Sequence, residues 1–313
     1  MNNNNNKLKY EPSNLDVIEK SFMNEGISTF NNFFNPEECK SLLDKVSSTR
    51  NLENIFLTED EFKRNPQHKG TNPRPGRNLA EKLDTEFIFG DPSFTSIMVK
   101  VLGNRFRIYD YKFVCGVPTS IMPNWVKDIC KDNLVNNLGK YIKPKYRDIT
   151  YFHGIDFHQD IIDYPYRKGD FITVYIYLDK VLPSQAPLHV LNRSHSLGAT
   201  IFPHSLSKID GGYLYSDSKD NEVMCPLNIL TGNGGDMSFW HSFTLHGTQP
   251  QNDDESRVSL RIIVEANSDK DDKSWLNECN FNISGYMSLS KTRKDISAEG
   301  EAEIYGNIIN KLK

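Results

Sequence analysis

Residues 151–160 read Tyr-Phe-His-Gly-Ile-Asp-Phe-His-Gln-Asp, and the rest of the chain is interpreted around the last three of them. His158 and Asp160 are two positions apart, so on a strand both side chains point to the same face. A second histidine from a neighbouring strand would complete a set of two imidazoles and one carboxylate. That set suits Fe(II) and leaves coordination positions open. Because a His-x-Asp motif often arises by chance, its meaning depends on the residues downstream of it.

Two histidines later in the chain could complete this set. Residues 235–248 read Gly-Asp-Met-Ser-Phe-Trp-His-Ser-Phe-Thr-Leu-His-Gly-Thr and contain His241 and His246. They are an odd number of positions apart, which places them on opposite faces of a regular strand. We therefore expect one of them to be a ligand unless the strand breaks between them. We choose His246, because Gly247 allows the backbone to come close to a site at a strand end.

An arginine follows on the next predicted strand. The segment Arg257–Val264 places Arg257, Ser259 and Arg261 on one face and aliphatic side chains on the other. The planar guanidinium of arginine is always charged and binds a carboxylate through two parallel hydrogen bonds. Arg257 is therefore placed to bind a dicarboxylate co-substrate, and Ser259 is a candidate contact to the same molecule.

Other residues near these motifs allow more than one interpretation. His153 and Asp156 offer the same ligand types just upstream, but a loop position or a supporting role is the simpler interpretation. Arg261 and Tyr177 are candidates for substrate contact. The alternatives are an ion pair for Arg261 and a core position for Tyr177, and a core position is also expected for Trp240.

The segment Phe171–Leu178 predicts a strand with two different faces. Its even-numbered positions are all aliphatic and are predicted to pack in the core: Ile172, Val174, Ile176 and Leu178. Its odd-numbered positions are aromatic or hydroxylic and could line a cavity: Phe171, Thr173, Tyr175 and Tyr177. Further strands are predicted at 105–114, 237–245 and 257–264. Short strands separated by Gly, Pro and Asn turns favour an antiparallel sandwich or barrel.

Helices are predicted mainly in the N-terminal third. Residues 15–30 carry apolar side chains at helical spacing and predict a helix that leads into a turn. Asn35 is a good N-cap and Pro36 fits the first helical position, so a second helix is expected to run to about Ser47. A third helix is predicted at 94–102.

The chain divides into three predicted parts. Residues 1–14 are polar and begin with an asparagine run, which predicts a disordered terminus. Residues 15–267 are predicted to form one domain, with an insertion at about 116–150 that would be a lid or a small subdomain. Residues 268–313 form a charged extension that is expected to end in a helix, Ala298–Leu312.

Composition excludes several classes of protein. The chain has 313 residues and a net charge of −4, without the basic excess of a general nucleic-acid or anionic-membrane binder. Its apolar runs are shorter than the ~20 residues of a membrane span, and its start lacks the apolar region of a secretory signal. The five cysteines are scattered and without a C-x-x-C pair, as a reducing cytoplasm allows. We therefore expect a cytoplasmic protein without nucleic-acid or membrane partners.

Together these motifs resemble the phytanoyl-CoA dioxygenase family. Four pieces match it in order over roughly residues 15–265: Phe34-Asn-Pro-Glu-Glu-Cys39; His158-Gln-Asp160 with Tyr164-Pro165 and the strand Val174–Asp179; Ala186-Pro-Leu-His-Val-Leu-Asn-Arg-Ser-His195; and Gly235-Asp with His246-Gly-Thr and Arg257. In the third piece, the family has Gly where this chain has Ala186 and Pro-Gly where it has Asn192-Arg193.

The resemblance implies a mainly β fold with flanking helices, a double-stranded β-helix (jelly roll) like that of cupins. It implies Fe(II) as the metal and 2-oxoglutarate and O2 as co-substrates, which are converted to succinate and CO2 while a C–H bond of a small molecule is oxidised. The residues at the family's positions are His158, Asp160 and His246 for iron, Arg257 and Thr248 for 2-oxoglutarate, and Tyr175 close to the co-substrate. Because related halogenases lack the carboxylate ligand, Asp160 favours hydroxylation or desaturation.

Three other hypotheses stay open. A cupin-like protein could hold zinc or manganese without 2-oxoglutarate, although Arg257 argues against it. A catalytically silent relative could act as a binding module, against which the intact ligand set argues. An oxygenase of the same kind could instead hydroxylate a protein side chain, which an open groove beneath 116–150 would favour. The substrate and the oligomeric state do not follow from the sequence.

Overall fold

A computed structural model describes residues 12–64, 78–131, 135–163, 169–200, 202, 204–217, 220–250 and 254–266. Within these ranges the chain forms six α-helices and twelve β-strands. The helices are α1 (Pro12–Glu25), α2 (Pro36–Ser48), α3 (Glu59–Arg64), α4 (Glu86–Phe89), α5 (Pro92–Leu102) and α6 (Asn124–Cys130). The strands are β1 (Ile27–Phe30), β2 (Arg107–Gly116), β3 (Val135–Asn137), β4 (Thr150–His158), β5 (Phe171–Tyr177), β6 (Leu188–Leu191), β7 (Ser205–Ile209), β8 (Gly212–Ser216), β9 (Glu222–Leu230), β10 (Met237–His241), β11 (His246–Thr248) and β12 (Arg257–Glu265).

The strands form a mostly antiparallel sheet. Their order is β1-β10-β5-β12-β2-β4-β11-β6-β9-β8-β7, with β3 beside β4. Only the pairing of β2 with β4 is parallel among the described strands. Side chains of β5 and β10 share a buried cluster with side chains of β6 and β9, which lie far from them along this path. The sheet therefore folds over on itself into the jelly roll with flanking helices that the resemblance implied.

The two faces of β5 are confirmed. Ile172, Val174 and Ile176 belong to the largest core cluster, which they share with side chains of α1, α2 and α5. Tyr175 and Tyr177 face the other way, into the cluster between the two halves of the sheet. This alternation follows from the period of a strand, and it places the polar odd-numbered side chains inside the jelly roll.

The prediction of a helix that leads into a turn over 15–30 was wrong in its last four residues. Helix α1 ends at Glu25, and Ile27–Phe30 forms strand β1 in antiparallel register with β10. Gly26 has a φ of 72°, a left-handed conformation that glycine adopts without strain and that commonly ends a helix. The predicted strand 237–245 was also too long, because β10 ends at His241 and residues 242–245 form a turn.

The start of α2 is confirmed, with the Asn35 side chain accepting a hydrogen bond of 2.8 Å from the backbone N–H of Glu37. The strand predicted at 105–114 is Arg107–Gly116, and the helix predicted at 94–102 begins two residues earlier at Pro92.

The segment 116–150 shares its core with the rest of the fold. It contains α6 and β3, and β3 pairs with β4. Val117, Val126 and Tyr141 are buried in the largest core cluster. The predictions for the N-terminal asparagine run and for residues 268–313 lie outside the described residues. Among the described helices, none combines the length and apolar character needed to cross a lipid bilayer.

Candidate metal centre

His158, Asp160 and His246 come together at one end of the jelly roll. His158 is the last residue of β4, Asp160 begins the 3-10 turn after it, and His246 opens β11. Because β4 and β11 are neighbours, His246 lies directly opposite His158 in the antiparallel register. One potential ligand atom from each of the three side chains lies within 4.8 Å of the other two.

Both histidines are oriented by their own strands. Nδ1 of His158 donates a hydrogen bond of 3.0 Å to the backbone carbonyl of Asp156. Nδ1 of His246 donates a hydrogen bond of 3.0 Å to the carbonyl of Thr244. A proton fixed on Nδ1 leaves the lone pair on Nε2, which is the atom a metal binds. Nε2 of His246 lies 3.6 Å from Oδ2 of Asp160.

The Asp160 carboxylate is held on both of its oxygens. Oδ2 accepts hydrogen bonds from Thr173 Oγ1 at 2.6 Å and from Trp240 Nε1 at 3.0 Å. Oδ1 accepts one from Arg261 Nη2 at 2.7 Å. Burial alone would raise the pKa of Asp160, but the Arg261 guanidinium, helped by His246, His158 and Thr173, holds it well below its usual range. The carboxylate is therefore ionised, as a metal ligand must be.

His246 is also suited to bind a metal. Its side chain is buried, and burial lowers its pKa to about 4, although the neighbouring Asp160 carboxylate works in the opposite direction. Its ring lies 4.8 Å from the ring of Trp240 and 4.3 Å from the ring of His158, measured between centroids. Near neutral pH the imidazole is uncharged and its Nε2 lone pair is available to a metal.

The other end of the site is built around Arg257, the first residue of β12. Its side chain is buried, and Nη1 donates a hydrogen bond to the carbonyl of Ala186. Thr248 Oγ1 donates to the same carbonyl at 2.7 Å. The Tyr177 hydroxyl lies beside Arg257 and donates to the carbonyl of Leu230 at 2.5 Å.

Two buried polar atoms at this end have no hydrogen-bond partner among the described residues. They are Nε of Arg257 and Oγ of Ser259, which share one face of β12. A buried donor without a partner is costly, so such atoms in a native structure point to a ligand or solvent. A guanidinium N–H beside a hydroxyl fits a carboxylate.

The turn that supplies the Ala186 carbonyl has an unusual backbone. Ala186 has a φ of 49° and Arg193 has a φ of 70°, both in the left-handed region that glycine adopts without strain. These are the places where the family has Gly and Pro-Gly. The turn therefore keeps a backbone conformation suited to glycine, although residues 186–195 contain no glycine. Arg193 is further held by Glu25, with 3.0 Å between Nη2 and Oε1.

Most of the predicted site residues are brought together, with differences in role. Tyr175 lies between the two ends, with its ring 5.8 Å from Trp240 and 5.9 Å from Tyr177. Arg261 is paired with Asp160, which is the alternative to substrate contact that the sequence left open.

The histidines that competed as ligands lie outside the cluster. Nδ1 of His241 accepts a hydrogen bond of 3.1 Å from the backbone N–H of Phe243. Nδ1 of His153 lies 2.9 Å from the Val117 carbonyl, to which it donates. Among the described residues, the group of His158, Asp160 and His246 is the one cluster of this kind.

Sequence reasoning missed the supporting roles of Thr173 and Trp240. The alternation of β5 placed Thr173 inside the fold, but nothing in the sequence aimed it at Asp160. Trp240 was expected only to fill the core. The donor set of two imidazoles and one ionised carboxylate fits Fe(II) with open positions, and the unpaired atoms of the Arg257 end fit the carboxylate of a second ligand.

Comparison with known proteins places this chain in a family. The model of the phytanoyl-CoA dioxygenase family (PhyH) matches residues 22–259. A probable alpha-ketoglutarate-dependent hypophosphite dioxygenase from Stutzerimonas stutzeri is 30% identical over 114 residues, which are 35% of this chain and 38% of the relative. The chain thus spans well under half of the length of that relative.

Solved structures of the non-haem alpha-ketoglutarate-dependent epimerase SnoN from nogalamycin biosynthesis share the fold. One has a TM-score of 0.51 at 13% identity, and the match covers 82% of this chain and 84% of the SnoN chain. A second, in complex with Fe3+, alpha-ketoglutarate and nogalamycin RO, has a TM-score of 0.52 at 14% identity and covers 82% and 85%.

Proposed function

The chain belongs to the phytanoyl-CoA dioxygenase family, and from this premise we propose that it is a non-haem Fe(II)/2-oxoglutarate-dependent dioxygenase. Its reaction would oxidise a C–H bond of a small molecule, with 2-oxoglutarate and O2 converted to succinate and CO2. The observation that carries the proposal is the cluster of His158, Asp160 and His246 with ligand atoms within 4.8 Å of one another.

In this proposal each end of the site binds one component. His158, Asp160 and His246 hold Fe(II). Arg257 binds the distal carboxylate of 2-oxoglutarate, with Ser259 and Thr248 beside it. When bound, the iron together with 2-oxoglutarate and O2 supplies the oxidant, and one oxygen atom of O2 enters succinate while the other is available to the product.

The remaining residues position these components. Arg261, Thr173 and Trp240 hold the Asp160 carboxylate in one orientation and keep it ionised. Tyr175 and Tyr177 line the space between the two ends and exclude water from it. Arg261 is assigned to Asp160 rather than to the substrate, because its guanidinium already contacts a carboxylate at 2.7 Å.

A small-molecule substrate is supported by the relatives, one of which is described as a hypophosphite dioxygenase and another as an epimerase bound to nogalamycin RO. Hydroxylation or desaturation is preferred over halogenation, because Asp160 occupies the carboxylate position that halogenases lack.

The first test is anaerobic. Fe(II) and then 2-oxoglutarate are added to purified metal-free protein, and the weak visible charge-transfer band of the chelate is recorded. We expect a band in the wild type. A folded protein that binds metal but gives no band with 2-oxoglutarate would contradict the proposal and favour a cupin-like protein. A folded protein that binds no metal would favour a silent binding module.

A further inference from the structure

We propose that Gln159, the residue between two metal ligands, is a positioning residue that sets the distance between Asp160 and His246. The inference rests on the proposed function, because it concerns the same metal site. Gln159 itself does not face the metal. It lies next to Asp160 in the chain, and its side chain is fully buried.

The Gln159 amide joins three segments of the chain. Its Nε2 donates hydrogen bonds of 2.8 Å to the carbonyl of Gly198 and of 2.8 Å to the carbonyl of Phe243. Its Oε1 accepts a hydrogen bond of 2.9 Å from the backbone N–H of Thr200. Gly198 and Thr200 come after β6, whereas Phe243 lies in the turn that leads into His246.

The turn 242–245 that Gln159 contacts is buried throughout. Thr244 Oγ1 donates to the carbonyl of Gly26 at 2.8 Å, and the N–H of Leu245 donates to Ser194 Oγ at 2.8 Å. These bonds tie the turn to other parts of the chain. Two residues next to Asp160 in the chain also bind this turn. The Gln159 side chain donates to the Phe243 carbonyl, and the backbone N–H of Ile161 donates to the Ser242 carbonyl at 3.2 Å.

The chemistry of the amide explains why a glutamine serves here. Two carbonyl oxygens and one N–H surround it, and a neutral amide can donate twice and accept at the same time. Glutamate would set a carboxylate against two carbonyl oxygens. Leucine would leave two buried carbonyls and one buried N–H unpaired. In either variant the turn before His246 would lose its side-chain link to the segment that carries Asp160 and keep the backbone hydrogen bond from Ile161 to Ser242.

A buried glutamine could also serve the fold alone, so the test needs a matched control. Asn136 offers one, because it is also a buried amide, on strand β3, and its Nδ2 donates to the carbonyl of Cys130 at 3.1 Å. Asn136→Leu should lower the melting temperature without altering metal binding.

The experiment compares wild type, Gln159→Leu, Gln159→Glu and Asn136→Leu. Anaerobic titration gives the Fe(II) affinity, the Co(II) spectrum reports coordination geometry, and melting of the metal-free protein reports stability. We expect the Gln159 variants to bind Fe(II) about 10- to 100-fold more weakly, the range seen when groups that orient metal ligands are removed, and to change the Co(II) spectrum.

Two results would overturn the inference, and a second variant covers the case in which the first does not fold. Gln159→Leu with wild-type affinity and spectrum, but a melting temperature as low as that of Asn136→Leu, overturns it and leaves the proposed function intact. A wild type that binds no Fe(II) overturns both. If Gln159→Leu does not fold, the shorter Gln159→Asn is measured instead, and unchanged affinity and spectrum in that variant overturn the inference in the same way.

Discussion

At the metal end of the site, Asp160 accepts hydrogen bonds from three side chains, and both histidines are fixed through Nδ1. At the other end, Arg257 Nε and Ser259 Oγ are buried with no partner among the described residues. Satisfied polar groups make the metal end rigid before any ligand arrives. At the Arg257 end, a ligand that bonds to the unpaired buried atoms would remove the free-energy cost of leaving them unpaired, so ligand binding should stabilise this end.

The largest expected effect comes from removing a metal ligand. Asp160→Ala or His246→Ala should abolish turnover and weaken Fe(II) binding by more than about 100-fold, beyond the effect of losing a supporting group. Activity, anaerobic Fe(II) titration and circular dichroism of the same samples check this. His153→Ala is the matched control, because His153 is also buried but lies outside the cluster. Retained 2-oxoglutarate consumption by metal-loaded His246→Ala would contradict the assignment of His246 as a metal ligand.

Arg257→Lys should affect only the other end. It keeps the charge but loses the planar fork, so 2-oxoglutarate should bind about 10- to 100-fold more weakly while Fe(II) affinity stays unchanged. The charge-transfer band, followed during titration with 2-oxoglutarate, gives the 2-oxoglutarate affinity, and a separate anaerobic titration with Fe(II) gives the Fe(II) affinity. Arg107→Ala is the control, since Arg107 lies on β2 and pairs with Glu265 at the far end of β12. An equal loss of Fe(II) affinity would show that the two ends are not separate.

Acid should lower the stability of the folded protein through His189, whose pKa is affected by the nearby charge of Arg257. Burial, followed by the charge of Arg257, lowers the pKa of His189 from 6.5 to about 4. The unfolded chain therefore takes up a proton that the folded chain does not, and stability falls as the pH drops from about 6.5 towards 4, by up to about 3 kcal/mol. Urea unfolding of metal-free wild type and His189→Gln over this range checks the prediction. The variant should lose less stability, and identical pH curves would contradict it.

The smallest effects compare two hydroxyls. Thr173→Val removes a hydrogen bond to Asp160 and should destabilise the metal-free protein by about 1 kcal/mol or more. Ser259→Ala removes a hydroxyl that has no partner among the described residues, so it should leave stability unchanged or raise it slightly, yet weaken 2-oxoglutarate binding. Urea unfolding measures the stability of both variants, and anaerobic titration measures the affinity of Ser259→Ala for 2-oxoglutarate. Equal destabilisation by both substitutions would remove the contrast between the ends.

Strand periodicity predicted much of this site. The two faces of β5 followed from the alternation of side chains, and the preference for His246 over His241 followed from the glycine after it, Gly247. The β-rich class followed from strand and turn composition. The jelly roll and the proposed role of Arg257 towards 2-oxoglutarate needed the family resemblance as well.

The rest depended on contacts between distant parts of the chain. Gln159 meets Phe243, and Trp240 meets Asp160, across 84 and 80 positions, which no local pattern specifies. Strand β1 was read as helix because its pairing partner is β10, more than two hundred residues away. A short stretch takes its conformation from such a partner when its own preference is weak.

The hydrogen bonds of the two Nδ1 atoms also have a kinetic consequence. Each ring proton already faces the backbone and each Nε2 lone pair already faces the centre, so metal entry requires neither a ring flip nor a proton shift between the ring nitrogens. The rate of Co(II) uptake, followed by stopped flow, should then be nearly the same in H2O and D2O. Loading of the site would be limited by the arrival and dehydration of the ion rather than by rearrangement of the protein.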